Sequence, residues 1–121
     1  MKYTIQRLDG RFSYRKWFDY YIGFSGRMSQ NEGPLEFARA QHWFLQTYGW
    51  SAEIRQWSDI HTWYTKSVPL IAVKGGWTRP NVMPKECNPN WSWTNGYNDL
   101  RIYVASDKEL AFFELAHQGR Q

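Results

Sequence analysis

Trp91-Ser92-Trp93-Thr94-Asn95-Gly96-Tyr97-Asn98-Asp99-Leu100-Arg101-Ile102-Tyr103-Val104 reads as a β-hairpin. Asn95-Gly96 suits a type I′ turn, because both central residues of that turn need positive φ. On the return strand, Leu100, Ile102 and Val104 alternate with Arg101 and Tyr103. The first three therefore point inward and the other two face the opposite side of the sheet. The same period recurs upstream, where Phe18, Tyr20, Ile22 and Phe24 alternate with Asp19, Tyr21 and Gly23. Residues 3–8 alternate more loosely and read as a first strand, at an edge, joined to the second across the Asp9-Gly10 turn signal. Residues 52–57 read as another short strand, with Ile54 inward and Arg55 and Trp57 on the other face.

Two helices complete the pattern. Ser29-Gln30-Asn31-Glu32 matches a capping box, and Pro34 suits a first helical position. The spacing predicts a helix over residues 34–48, with Phe37, Ala40, Phe44 and Tyr48 on one side and Gly49 as a left-handed stop. Trp43 falls among Glu36, Arg39 and Gln46, off the apolar stripe, so it is either covered by a later loop or serves as a surface anchor. Ser106-Asp107-Lys108-Glu109 is a second capping box. The helix it opens carries Leu110, Ala111, Phe112, Phe113, Leu115 and Ala116, which predicts deep packing as far as a stop at Gly119. Residues 59–64 fit no single state. Residues 68–73 suit a strand that Pro69 confines to an edge or a beginning. Residues 75–90, rich in glycine, proline and asparagine, read as a long connection.

This order predicts a single α+β domain over residues 1–121. Its expected form is a two-layer sandwich, ferredoxin-like, with an antiparallel or mixed sheet and both helices on one face. The second face then lacks a cover. Tyr21, Arg55, Trp57, Arg101 and Tyr103 are expected to point there, with Trp17 and Asp19 extending the set.

Composition narrows the function. The chain has 121 residues, 19% of them aromatic, and a net charge of +4. That charge is compatible with nucleic acid or an acidic partner, but no run of five or six like charges appears. No apolar stretch approaches the ~18 residues of a membrane helix, so no membrane partner is expected. The one cysteine, Cys87, cannot form an internal disulfide, which fits a reducing compartment such as cytoplasm. Its setting among Pro84, Lys85, Glu86, Asn88 and Pro89 suits a packed or loop cysteine better than a nucleophile. The phosphate-loop, dinucleotide, zinc-protease and nucleophile-elbow motifs are all absent. His42, His61 and His117 are too widely spaced to form a local ligand pair, so neither a metal nor a cofactor is expected. Ser58, Asp59 and His61 invite a triad reading, but neighbours in sequence do not produce triad geometry.

A non-enzymatic binding role follows. In the first form, a protein partner or a second copy of the chain meets Tyr21, Arg55, Trp57, Arg101 and Tyr103, with Trp43 as an added anchor. In the second, single-stranded nucleic acid stacks on the open sheet face, where each stacked base contributes ~1–3 kcal/mol. Against both stands an ordinary role in cross-strand pairs, worth a few tenths to ~1 kcal/mol each. An enzyme with its site beneath residues 75–90 is a third reading, for which no acid–base pair is marked.

Phe18-Asp19-Tyr20-Tyr21-Ile22-Gly23-Phe24-Ser25, a Trp-containing helix, Glu53-Ile54-Arg55-Gln56-Trp57, Trp91-Ser92-Trp93 and Arg101-Ile102-Tyr103-Val104 before a Phe-rich helix together resemble small uncharacterised proteins of tailed bacteriophages. The resemblance covers a little over half of the chain. It implies a viral accessory role in the host cytoplasm and carries no catalytic residue with it.

Overall fold

The computed structural model describes residues 3–24, 32–67, 70–78, 84–96 and 99–117. In chain order these form β1 (Thr4–Arg7), a short 3₁₀ helix (Ser13–Lys16), β2 (Tyr20–Phe24), α1 (Glu32–Tyr48), α2 (Ile54–Ser67), β3 (Ile71–Val73), β4 (Gly76–Thr78), β5 (Trp91–Gly96), β6 (Asp99–Val104) and α3 (Asp107–Ala116). β1, β2, β6 and β5 make one antiparallel sheet in that order. β3 and β4 pair only with each other, as a separate hairpin.

The predicted alternation survives on the central strands. Ile22, Phe24, Leu100, Ile102 and Val104 share one core with Phe37, Ala40 and Phe44 of α1 and Phe113 of α3. Phe44 sits at its centre, stacked on Trp91 at 5.5 Å and on Phe113 at 5.3 Å. Gly49 ends α1 at φ 94°, in the left-handed region that a side chain would resist. At the start of α3 the Ser106 hydroxyl accepts from the Lys108 amide and donates to the Glu109 carboxylate at 2.7 Å. Residues 29–31 of the capping box proposed for α1 and the stop at Gly119 lie outside the described residues.

The second sheet face is covered, and here the sequence reading needs correction. Residues 54–67 are helical. Ile54 and Trp57 recur at a helical spacing and pack with Leu8, Phe18, Ala52, Cys87 and Tyr103 in a second core. Trp57 and Tyr103 are only 2% and 3% exposed. The β1–β2 connection supplies the rest of the cover, bringing Phe12 to within 6.3 Å of the Tyr21 ring and Tyr14 to within 5.4 Å of the Tyr103 ring. Helices therefore lie on both faces, with α1 and α3 on one and α2 on the other. The element order also departs from the β-α-β-β-α-β sequence of a ferredoxin-like chain.

Two smaller corrections follow from packing. The β5–β6 register pairs Asn95 with Leu100 and Gly96 with Asp99, so Asn95-Gly96 belongs to the ladder and not to the turn. α3 buries Glu109 and Phe113 but leaves Phe112 and Leu115 exposed, because it rests on the sheet by one stripe.

Residues 49–53 carry the chain around the β5 edge from one face to the other. Side chains hold most of the turn. Trp91 Nε1 donates to the Gly49 carbonyl at 2.8 Å, and Trp93 Nε1 donates to the Ser51 carbonyl at 2.9 Å. Ser92 Oγ and Trp57 Nε1 both donate to the Ala52 carbonyl, at 2.7 and 3.1 Å. Asn88 Nδ2 donates to the Tyr48 carbonyl at 2.8 Å, while the Ala52 amide donates to the Glu86 carbonyl at 2.7 Å. Glu53 makes an isolated parallel bridge to Trp93, which covers the β5 edge at that point.

Two substitutions measure this arrangement. Trp57→Ala is expected to cost about 3–5 kcal/mol of unfolding free energy as a large-to-small change in a closed core. Trp93→Phe keeps most of the ring but leaves the Ser51 carbonyl without its donor, at a cost of about 1–3 kcal/mol. Exposed Trp63→Ala should stay within about 0.5 kcal/mol of the parent. Urea unfolding followed by far-UV circular dichroism reads all three. Equal stability of the Trp57 and Trp63 variants would mean that α2 does not close the second face.

Candidate functional site: an uncharged tryptophan-walled cleft

The six residues expected to form one binding surface are dispersed. Trp57 and Tyr103 are interior. Burial pushes the Tyr103 phenol above its ordinary range, against the opposing pull of Arg101. Trp43 is half-buried between α1 and α3, 5.4 Å from the Phe112 ring and 5.6 Å from the Phe113 ring. Only Tyr21, Arg101 and Arg55 remain on the open end of the second face. Arg101 lies 4.3 Å above the Tyr21 ring and pairs with Asp99 at 2.6 Å. Arg55 is held by Glu53 through two hydrogen bonds, and that guanidinium keeps the Glu53 carboxyl below its usual range.

This end of the sheet is therefore a balanced ion-pair surface. The same balance holds more widely. Arg11, Arg15 and Arg39 are paired with Asp9, Asp19 and Glu36.

A different concavity is preformed on the other side. Ala38, Gln41, His42 and Leu45 follow one another at one face of α1, beside its core stripe. They oppose Trp50 and Ser51 of the turn and Trp91 and Trp93 of β5, enclosing about 270 Å³. Trp91 and Ser51 form a buried floor, and Gln41 and Trp93 are half-buried. His42, Leu45 and Trp50 form an exposed rim, with Trp50 58% exposed. Hydrogen bonds to the turn fix the Trp91 and Trp93 rings in place, so these two walls need no reordering when something binds.

The lining decides the chemistry. No Lys, Arg, Asp or Glu borders the cleft among the described residues, so it offers no partner for a phosphate. At about 270 Å³ it falls at or just below the small end of ligand pockets, enough for one large apolar side chain. Gln41 and His42 add hydrogen-bonding groups at its side. In the sequence Trp77, Trp91 and Trp93 flank the long connection, where they suit either interface anchors or a cover over the core. Trp50 carries no local signal, and that of Gln41 and Leu45 is the 38, 41, 42, 45 spacing, which places a second, narrower stripe beside the core stripe of α1.

The other chemical candidates do not assemble. His61 lies on α2 beside the Trp17 ring at 6.3 Å, and Ser58 and Asp59 are exposed on the same helix. No group of three or more metal-ligating side chains occurs among the described residues. Among those residues no helix is long and apolar enough to cross a membrane. Cys87 is buried, and burial pushes its thiol up to about 11. No family model, curated protein or solved structure matches the chain.

The Cys87 setting gives a direct check. A raised folded-state value means that the neutral thiol favours the folded chain. That contribution is full below pH 9 and is lost as the pH climbs toward 11. Native protein at pH 8 should resist a thiol-reactive chromophore and react once unfolded in urea. Prompt labelling of the native protein would show that the thiol is accessible.

Proposed function

We propose that the protein is a non-enzymatic protein-binding module and that the α1–β5 cleft is its anchor pocket. The observation that carries the reading is a concave, uncharged site walled by two orientation-locked indoles and rimmed by an exposed third. Interfaces concentrate their binding energy in a few such places, where one aromatic or aliphatic anchor enters a desolvated pocket. Gln41 and His42 then meet the polar groups of the segment that carries the anchor. Following the phage resemblance, that partner is a protein met in the cytoplasm of an infected bacterium.

The nucleic-acid reading loses its support at the same point. It needed an open sheet face with free rings and free guanidinium groups. Trp57 and Tyr103 are interior, and Arg55 and Arg101 each hold a carboxylate. A phosphate would have to displace Glu53 or Asp99 before either arginine could meet it.

Selection of a random peptide display library against the native protein tests the reading. Peptides carrying a large apolar residue should emerge, and Leu45→Glu should weaken them at least tenfold by placing a charge on the rim. Leu45 is exposed, so the change leaves the core intact. Peptides that bind the Leu45 variant equally well would refute the pocket. Retardation of short single-stranded DNA that fades steeply with salt would restore the nucleic-acid reading.

A further inference from the structure

The β3–β4 hairpin pairs with no other strand, and residues 72–77 are all exposed. Its turn is Lys74-Gly75, with Gly75 at φ 96°, and Ala72 lies directly across from Trp77. A methyl group opposite an indole leaves the ring standing clear of the ladder. Ala72, Val73 and Trp77 are all exposed, and Trp77 at 70% is the most exposed large apolar residue among those described. A lone two-stranded hairpin is marginally stable in water, so an arm of this kind gains from a surface to rest on.

We propose that the cleft is occupied by Trp77 of a second copy of this chain, each copy placing its arm in the cleft of the other. The inference rests on the cleft being a protein-binding pocket and names its occupant. Three observations converge on it. The cleft has room for one large side chain, and the arm presents one. Its lining is uncharged, so an indole enters it without displacing the partner of an ion pair.

Area decides between a closed pair and an open chain of copies. With ~250 Å² for a whole indole side chain, Trp77 and Trp50 expose about 170 and 140 Å². With Leu45, Leu70 and Val73 added, one arm-in-cleft contact covers roughly 500 Å², within the range of adventitious contacts. Two reciprocal contacts reach roughly 1,000 Å², the lower end of specific interfaces. The contact is therefore expected to close on itself about a two-fold axis.

Sedimentation equilibrium from about 10 to about 500 μM spans the range in which an interface of that size dissociates. The native mass should rise from 14.5 kDa toward twice that value. Trp77→Ala and Trp50→Ala, both at exposed positions, should each stay monomeric with unchanged far-UV circular dichroism. Mixed together they should associate at least tenfold more weakly than the native chain, because one retains the cleft and the other the arm. A native chain that stays at 14.5 kDa throughout would overturn this inference and leave the peptide selection to judge the cleft. A dimer that survives both substitutions would also overturn it. Loss of the dimer with Trp77→Ala but not with Trp50→Ala or Leu45→Glu would place the arm elsewhere and overturn this inference, with the peptide selection still the judge of the cleft.

Discussion

The turn at residues 49–53 is held by side chains rather than by a ladder, and the rest of the molecule depends on that hold. Trp91, Ser92 and Trp93 are consecutive on β5, so their side chains alternate between faces of the sheet. The two indoles reach Gly49 and Ser51 from the α1 side, and the serine reaches Ala52 from the other. One short segment of strand thus grips the chain as it crosses the edge. Each bond is worth about 1 kcal/mol net, but a buried carbonyl left without a donor costs about 1–3 kcal/mol. The turn has little freedom to take another path. Its exit sets the direction of α2 across the second face, and its entry sets one wall of the cleft.

That path explains which parts of the fold were legible in the sequence. Alternation on β2 and β6 was readable because each residue's neighbours on the strand decide its face. α1 and α3 were readable from capping residues and local periodicity. α2 was not, because residues 52–57 are too few to separate a period of two from a period of 3.6. Over a longer window Ile54, Trp57, Ile60 and His61 fall on one side of a helix and Arg55, Ser58, Asp59 and Thr62 on the other. Asn95-Gly96 misplaced the hairpin turn for a different reason. The local preference of that pair yields to the register in which Trp91 opposes Val104 and Ser92 opposes Tyr103. Phe112 and Leu115 show that an apolar composition does not bury a helix on every side; a helix resting on one sheet buries one stripe.

The cleft could not have been found by any local rule. Its walls come from α1, the turn and β5, which are distant in sequence. The indole-to-carbonyl bonds help to bring them together. Charge did not mark it either. The arginines within the described elements meet carboxylates or rings.

Aromatic abundance alone therefore says little about binding, and the indole nitrogens say more. Trp57, Trp91 and Trp93 each donate to a backbone carbonyl of the same turn, so they hold the chain's own path. Trp17 and Trp43 fill the margins of the two cores. Trp50, Trp63 and Trp77 do neither and keep most of their surface in water. Exposing an indole forgoes roughly 25 cal/mol for each Å² left wet, a few kcal/mol per ring. Folding alone gives no reason to keep three such rings outside. Trp50 differs from Trp63 in standing beside a preformed hollow, and Trp77 differs from both in standing on a hairpin that pairs with no other strand. Geometry, more than hydrophobicity, sets those two apart.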